Sequence, residues 1–332
     1  MRTIHTITIL RPQSNNGSSI IRSGNQVTAE RWQLILTSLG HTVDVTTFYR
    51  GAPADLLVAI HAWRSAEGIA RFARANPGAP IIVCLSGTDV YAFQASHPEA
   101  TLASMNTATA LVGLHDLVGG SIPARFRDKL RVIYQSALSL PRRLSASDTF
   151  DVCVIGHLRT EKDPFRAAAA ARLLPEQSRI RILHAGGPAD KCWEAQARAE
   201  MRENSRYEWL GDLGPAAIQE LLASSKLMVL SSEMEGGANV LGEAIAAGLP
   251  VIASAIDGSL GLLGLDYPGK YPVGDTEALA RILDRAEQDD GFLAALSAHC
   301  ARLAPQFSVE LERASWAKLI TDVTGSSVRK LR

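Results

Sequence analysis

The stretch SSEMEGGANVLGEAIAAGLPV at residues 231–251 is the part of the chain that decides its fold, because it joins an apolar run to a helix-forming segment through a glycine turn. Residues 226–230 predict a short buried strand, and residues 239–247 predict a helix that ends at Gly248. The turn therefore lies at the carboxyl end of a strand. Ligands bind at that edge of open α/β sheets, and the uncovered amides of a helix start attract phosphate groups.

Two glutamates flank the start of this predicted helix. Glu235 precedes it and Glu243 lies within it, with seven residues between them. The glycines at 236 and 237 allow a ligand to approach the backbone closely. Two glutamates at this spacing are also compatible with a solvated turn residue and a surface helix residue. The strand, the glycines and the ending GLPVIAS at 248–254 favour a binding site.

This arrangement resembles the Glu-x7-Glu motif of the retaining GT-B glycosyltransferases of the glycogen-synthase-like and sucrose-synthase-like group. The resemblance implies that Glu235 is catalytic and touches the donor sugar, and that Glu243 binds the ribose of the nucleotide. It implies further donor contacts from the turn and the helix start, at Gly236, Gly237, Ala238, Asn239 and Val240. The family has a Phe-Gly pair where this chain has Gly237-Ala238, so the role expected of these two positions rests on their backbone.

A second segment, residues 151–164, predicts the first strand of a new domain and a charged loop before a helix at 165–174. In the same glycosyltransferases an arginine and a lysine in this loop hold the donor diphosphate. Lys162 occupies the lysine position, His157 the arginine position, and Arg159 follows two residues later. The resemblance therefore implies that Lys162 and Arg159 are catalytic cations and that His157 contacts the donor. The alternative is an exposed charged cluster at a helix start.

Short apolar strands alternate with helical patterns along the whole chain, which predicts an α/β fold with two Rossmann-like, doubly wound parallel sheets. We expect an N-terminal domain at 1–140, a linker at 141–150, a donor domain at 151–308 and a C-terminal helix at 309–332 that crosses back to the first domain. Two such domains facing each other across a cleft form the GT-B architecture. The predicted strands are 7–10, 42–45, 56–60, 81–85, 110–113 and 131–134, then 151–156, 180–184, 207–209, 226–230, 250–253 and 271–273.

Composition narrows the classes of function. The 332 residues include 34 basic and 34 acidic side chains, so no global field attracts nucleic acid or an anionic membrane. The sequence contains no run of eighteen apolar residues, no signal-peptide pattern and no Asp-x-Asp metal motif, and its four cysteines are widely separated. We therefore expect a cytoplasmic protein with free thiols, without a metal or a cofactor, and with neither nucleic acid nor membrane as a partner. The oligomeric state is left open.

Further motifs run through the chain: SGNQVTAERW at 23–32, LGHTV at 39–43, HAWRSA at 61–66, SGTDVY at 86–91, YQSA at 134–137, GHLRTEKDP at 156–164, MEGGANV at 234–240, GLLG at 261–264 and PVGD at 272–275. In this order, and over nearly the whole chain, they resemble the selenosugar synthase family, which acts in selenoneine biosynthesis. The resemblance also accounts for His157, because that family has His-Leu-Arg at this point.

The resemblance implies transfer of a sugar from a UDP-sugar, either UDP-N-acetylglucosamine or UDP-glucose, to selenophosphate. The UDP-sugar is then a co-substrate. Selenophosphate is a small anion with a soft, nucleophilic selenium, so positioning it and helping UDP to leave matter more than a strong base. The residues expected to hold this acceptor follow predicted strands or open a predicted helix: Gly24, Asn25, Thr28, His61, Arg64 and Thr88.

Other interpretations stay open. One is a conventional glycosyltransferase with an oxygen or sulfur acceptor, and another is a non-catalytic UDP-sugar sensor. A UDP-sugar epimerase shares the two-domain fold but needs further acid and base groups around the sugar, and no matching set is found. His61 equally fits a histidine packed at a strand end, and Arg64 a solvated cation at a helix start.

Overall fold

The computed structural model describes residues 4–13, 23–138, 141–143 and 148–329. The chain forms two compact units: unit 1 comprises Met1–Gln135 and Val309–Arg332, and unit 2 comprises Ser136–Ser308. The division precedes the predicted boundary at 140, since the Ala137 N–H already donates to the Phe307 carbonyl of unit 2 at 3.0 Å. Parts of the predicted domains lie outside the described residues: residues 14–22 and 139–140 of the N-terminal domain, residues 144–147 of the linker and residues 330–332 of the C-terminal helix.

Unit 1 is built on a parallel six-stranded sheet with the strand order β2-β1-β3-β4-β5-β6. Its strands are β1 Thr6–Leu10, β2 Thr42–Thr46, β3 Leu56–Ile60, β4 Ile81–Cys84, β5 Ala110–Gly113 and β6 Leu130–Val132. Strands β3, β4 and β5 are buried along their whole length, as continuous apolar runs require when both faces are covered. The order of the strands reverses between β1 and β3, which makes that pair the topological switch point.

Helices cover both faces of this sheet. They are α1 Gly24–Ser38, α2 Ala66–Ala75, α3 Gln94–Ser96, α4 Pro98–Thr107 and, in chain order, α12 Val309–Arg329, with a π-helical turn at Asp89–Phe93 and 3₁₀ turns at Asp116–Ser121 and Ala124–Lys129. One apolar cluster joins the sheet to α1 and α12, and a second joins its other face to α2 and α4. The core of unit 1 therefore has two layers.

Helix α12 belongs to unit 1 although it follows unit 2 in the sequence. Its Trp316 packs edge-on against Trp32 of α1, with ring centroids 4.7 Å apart, and both rings are fully buried. The Trp32 Nε1–H donates to Glu312 Oε1 at 2.8 Å, and this carboxylate is 1% exposed. The contact is therefore apolar at its centre and fixed by one buried charged hydrogen bond.

Unit 2 is built on a second parallel six-stranded sheet, with the order β12-β11-β10-β7-β8-β9. Its strands are β7 Phe150–Ile155, β8 Ile180–Ala185, β9 Tyr207–Gly211, β10 Leu227–Leu230, β11 Val251–Ser254 and β12 Lys270–Tyr271. All strands are parallel, and their order reverses at the centre of the sheet. From β7 the chain adds β8 and β9 on one side, and β10, β11 and β12 then follow on the other side. The switch point is therefore the neighbouring pair β7 and β10.

The helices of unit 2 are α5 Arg166–Ala171, α6 Lys191–Glu203, α7 Pro215–Ser224, α8 Asn239–Ala246, α9 Asp257–Leu263, α10 Thr276–Gln288 and α11 Asp290–Leu303, with 3₁₀ turns at Thr160–Lys162 and Ala304–Phe307. In the described parts of the chain, no helix is long and apolar enough to cross a membrane.

The predicted fold class is confirmed, since the chain forms two parallel α/β sheets and every predicted strand lies within two residues of an observed one. Helix α5 is shorter than predicted. It ends at Ala171 instead of 174, because Pro175 follows and the last residues close into a turn, with Leu174 N–H donating to the Ala171 carbonyl.

The buried Trp32–Glu312 hydrogen bond yields a test of how α12 is held. We expect Glu312→Ala to destabilise the protein by about 2 kcal/mol, because a buried indole N–H loses its partner. Denaturant unfolding measures this change. The control is Glu310→Ala on an exposed site of the same helix; equal effects of the two variants would contradict the role given to Glu312.

Candidate active site

The switch point of unit 2 brings together the two segments that the sequence singled out. Strands β7 and β10 are parallel neighbours, with Val152 beside Leu227 and Val154 beside Val229. Their carboxyl ends therefore lie at the same edge of the sheet. The loop after β7 carries Lys162, and the turn after β10 carries Glu235.

Lys162 and Glu235 form a direct ion pair, in which Lys162 Nζ donates to Glu235 Oε1. The side chains are 16% and 11% exposed, respectively. Ser232 donates to the same carboxylate oxygen through its hydroxyl at 2.7 Å. Glu235 is thus oriented by a cation and a hydroxyl in a site that is largely shielded from water, where both contacts are stronger than at the surface.

Two further serines fix the backbone around this pair. Ser254, at the end of β11, donates to the Ser232 carbonyl at 2.5 Å. Ser231 donates to the carbonyls of Lys162 and Asp163 at 3.1 and 2.8 Å, and so ties the two loops together. The serine hydroxyls are buried and replace water as partners of backbone groups. Ser232 and Ser254 are not among the predicted site residues. The sequence features that could have identified them are a serine three residues before Glu235 and a serine at the end of a strand.

A glycine lets the start of α9 approach the Glu235 turn. A Cβ atom added at Gly258 would overlap the Glu235 carbonyl and lie 2.9 Å from the Glu235 Cβ. Gly258 is buried, so a side chain has no alternative space. The turn that carries Glu235 is therefore held by packing against the start of α9 as well as by hydrogen bonds.

The loop after β7 is anchored through the Gly156 carbonyl. His184 Nε2 lies 3.0 Å from this oxygen and Nδ1 lies 2.9 Å from the Tyr207 hydroxyl. Because a carbonyl only accepts, Nε2 carries the proton and Nδ1 accepts from Tyr207. Burial lowers the pKa of His184 to about 4, and the hydrogen bond to Gly156 opposes this shift only in part. The neutral ring thus holds the loop that carries the cationic residues.

The glycine turn leads into α8 as predicted. Gly237 has a φ of 137°, a conformation that favours glycine, and Ala238 is the extended N-cap of the helix. Gly236, Gly237, Asn239 and Val240 are half-buried and Ala238 is buried, so the turn is only partly covered. Glu243 is half-buried within α8.

The other two predicted donor residues lie in the same loop but outside this pair. The Arg159 guanidinium is half exposed and lies 3.9 Å from the Glu161 carboxylate. His157 is half-buried. The structure therefore joins Lys162 to Glu235 directly and leaves Arg159 at the rim, where its long side chain is paired only weakly.

In unit 1, two of the predicted acceptor residues contact each other. His61 follows β3 and Thr88 follows β4, and His61 Nε2 lies 3.0 Å from Thr88 Oγ1. Asp89 holds the other side of the ring, with Oδ1 2.6 Å from Nδ1. His61 is buried, with a φ of 77°, whereas Arg64 is exposed. Asp89 lies in the motif SGTDVY and is not among the predicted site residues.

The remaining predicted acceptor residues lie at the start of α1. Gly24 and Asn25 form its first positions, where Ser23 caps the helix by accepting from the Gln26 N–H. Thr28 is buried, and its Oγ1 accepts from Gln135 Nε2 at 2.8 Å. Thr28 is thus committed to a contact with the end of β6, while Gly24 and Asn25 lie at the helix N-terminus. In the described ranges, no three His, Cys, Asp or Glu side chains cluster as a metal site requires.

Packing at Gly258 can be tested by adding one methyl group. We expect Gly258→Ala to cost about 2 kcal/mol of unfolding free energy, because the Glu235 turn must shift to remove the overlap. Thermal or denaturant unfolding measures this cost. Gly214→Ala is the control, since an added Cβ there has no atom within 4 Å. A Gly258 variant as stable as the Gly214 variant would refute the close approach.

The depressed pKa of His184 predicts how stability depends on pH. The unfolded ring binds its proton near pH 6.5 and the folded ring only near pH 4, so the contribution is complete above about 6.5 and is lost as the pH falls toward 4. Between pH 7 and pH 5 this amounts to roughly 2 kcal/mol. Unfolding at both pH values should show a smaller loss for His184→Gln than for the wild type; parallel losses would contradict it.

Comparison with known proteins follows the same division of the chain. The model of the family Glycosyl transferases group 1 matches residues 140–304, which cover most of unit 2. No curated protein sequence is significantly similar to the chain.

Several solved structures share the fold of the whole chain. Sucrose-phosphate synthase from Thermosynechococcus elongatus has a TM-score of 0.79 at 15% identity, covering 97% of this chain and 99% of that one. HepE from Anabaena, in complex with UDP-glucose, has a TM-score of 0.75 at 16% identity, covering 96% and 100%. A glycosyltransferase from Rickettsia africae has a TM-score of 0.73 at 13% identity, covering 97% and 99%. These identities are low, so the likeness concerns the fold. Residues 140–304 belong to the Glycosyl transferases group 1 family, and the protein is a glycosyltransferase with the GT-B fold.

Proposed function

We propose that the protein transfers a sugar from a UDP-sugar, UDP-N-acetylglucosamine or UDP-glucose, to selenophosphate and forms a carbon–selenium bond, as a step of selenoneine biosynthesis. The observation that supports binding of a UDP-sugar donor is the shielded Lys162–Glu235 pair at the switch point of unit 2. The assignment of selenophosphate as the acceptor rests on the motifs along the chain that resemble the selenosugar synthase family.

The donor site is proposed to use charges that the fold already holds in place. Lys162 would neutralise the diphosphate as the bond between C1 of the sugar and the phosphate oxygen breaks, and Arg159 would reach a second phosphate oxygen from the rim. The amides at the start of α8, at Gly236 to Val240, would hold the diphosphate further. His157 would line the loop beside it. UDP-glucose, which is bound in a solved structure of Anabaena HepE, is the class of molecule that this site would take.

Glu235 and Glu243 are proposed to bind the sugar and the nucleoside of the donor, respectively. Glu235 would meet the hydroxyls of the donor sugar, with Ser232 and Lys162 fixing its carboxylate before the substrate arrives. Glu243 on α8 would accept hydrogen bonds from the ribose hydroxyls. Such a reaction needs no separate cofactor, because side chains and helix amides meet the phosphate charge.

The acceptor is proposed to bind in unit 1, at the residues after β3 and β4 and at the start of α1. Thr88, His61 and Arg64 lie on the first two of these loops, and Gly24, Asn25 and Thr28 on the helix. In the reaction a selenium lone pair forms the bond to C1 while UDP leaves with the electron pair of the broken C1–O bond. Because selenium is a strong nucleophile, binding and orientation of the anion supply much of the rate.

Product analysis tests the proposed function. The purified protein is incubated with selenophosphate and, separately, UDP-N-acetylglucosamine, UDP-glucose and UDP-galactose, with thiophosphate and phosphate as control acceptors. A product with the selenium isotope pattern, together with UDP release, is the expected result and ranks the donors. UDP-sugar binding without a selenium product would refute the selenium chemistry and favour an oxygen or sulfur acceptor or a sensor.

The ion pair predicts the effect of single substitutions. Glu235→Gln should lower kcat by about 10²-fold while leaving the fold intact, since the amide keeps the size of the side chain but not the charge. Lys162→Ala should also weaken use of the donor, seen as a higher KM for the UDP-sugar. Steady-state kinetics measure both. Glu233→Gln, on the exposed neighbour, is the matched control; unchanged kinetics in the first two variants would refute the site.

A further inference from the structure

Lys162 is followed by a residue with an unusual backbone conformation. Lys162 ends the 3₁₀ turn Thr160–Lys162, and Asp163 has a φ of 43° and a ψ of 57°, in the left-handed region. Pro164 comes next, and a residue before proline is normally extended. A residue other than glycine adopts the left-handed conformation at a cost in free energy. The surrounding structure must therefore hold Asp163 in place.

One buried hydroxyl holds the backbone of both residues. The Ser231 hydroxyl lies 3.1 Å from the Lys162 carbonyl and 2.8 Å from the Asp163 carbonyl, and it shares its single proton between them. Ser231 is 2% exposed and directly follows β10, so the loop is fixed against the sheet. This contact uses only backbone carbonyls, and it does not require a carboxylate at position 163.

An arginine holds the carboxylate of Asp163. Arg166 Nε donates to Asp163 Oδ2 at 2.7 Å, and Arg166 Nη1 donates to the Thr276 hydroxyl at 2.6 Å. Thr276 is the first residue of α10, so the guanidinium connects the loop after β7 to the helix after β12. The Asp163 and Arg166 side chains are 16% and 25% exposed, which makes this charged hydrogen bond stronger than one at the surface.

The stability of α5 does not account for Arg166. This residue is the first of the helix, where the positive end of the helix dipole disfavours a cation. The cluster also contains Tyr271, at the end of β12. Burial raises the pKa of this tyrosine, Asp163 raises it further, and Arg166 opposes the rise. The Tyr271 hydroxyl is buried and has no hydrogen-bond partner among the described residues, so the arginine is the group that holds Asp163.

We propose that Asp163 and Arg166 are positioning residues for the diphosphate of the donor and act through Lys162, an inference that rests on the donor site of the proposed function. Arg166 keeps Asp163 in the left-handed conformation. Asp163 then ends the 3₁₀ turn so that the Lys162 ammonium group stays at the switch point, where it is paired with Glu235 before a donor binds. The proposal gives neither positioning residue a contact with the diphosphate.

A double-mutant cycle on UDP binding tests whether the arginine acts through Lys162. Calorimetric titration of the full-length protein should give a Kd for UDP that is about tenfold higher in Arg166→Met than in the wild type. In the Lys162→Ala protein the same substitution should change the Kd by less than about twofold, because the group that Arg166 positions is gone. Equal losses in the two backgrounds, or no loss in the first, would overturn the proposal.

Asp163→Gly separates positioning from folding. Glycine adopts the left-handed conformation without strain, so the loop can still form, but Arg166 no longer has a carboxylate to hold. We expect a cooperative melting curve together with a Kd for UDP about tenfold above that of the wild type. A folded Asp163→Gly protein that binds UDP as tightly as the wild type would contradict the role given to the carboxylate.

Two control variants should bind UDP like the wild type. Tyr271→Phe removes the hydroxyl of the same cluster that has no partner in the described part of the chain, and Arg281→Met removes an exposed arginine of α10 that lies near Glu277. UDP binding does not depend on the acceptor, so it is measured whether or not a selenium product forms. A wild-type protein that binds no UDP would overturn the proposed donor site and this inference together, whereas tight wild-type binding with unchanged Asp163 and Arg166 variants would overturn the positioning alone.

Discussion

The shielded ion pair between Lys162 and Glu235 is the contact on which the organisation of unit 2 centres. It joins the loop after β7 to the turn after β10, and it exists because parallel strands at a switch point end at the same edge of the sheet. Two opposite charges at this depth are stable only as a pair with further hydrogen bonds. The serines around it, and the glycine beneath it, follow from that requirement.

The Lys162–Glu235 pair also bears on the proposed donor site. Lys162 is paired with Glu235. In the proposed function, a diphosphate at Lys162 would compete with Glu235 for the ammonium group, and the carboxylate would then turn to hydroxyl groups. Preorganisation of this kind reduces the rearrangement needed during the reaction, since the carboxylate is already held by Ser232. Unit 1 contains a comparable set of three side chains, in which Asp89 contacts His61 and His61 contacts Thr88.

Much of the fold could be predicted from the sequence, because parallel strands buried on both faces are continuous apolar runs, and several of the helices between them, such as α1, α2 and α8, are followed within three residues by glycine or proline. The sequence did not predict that Lys162 pairs with Glu235, although both are among the predicted site residues. They are 73 residues apart, and only the strand order places them side by side. Ser254 and Asp89 were harder still, since a serine or an aspartate after a strand has several ordinary uses. The unit boundary differed because the backbone bond of Ala137 has no sequence signal.

The return of α12 to unit 1 has a consequence for how the chain is made. Trp32 packs on Trp316, so the surface of α1 around Trp32 lacks its cover until α12 has been synthesised. Unit 2 is continuous and has all its strands by residue 271, which allows it to fold earlier. During synthesis one layer of the core of unit 1 therefore stays incomplete until α12 is made, and the Trp32 surface of α1 is exposed in that interval.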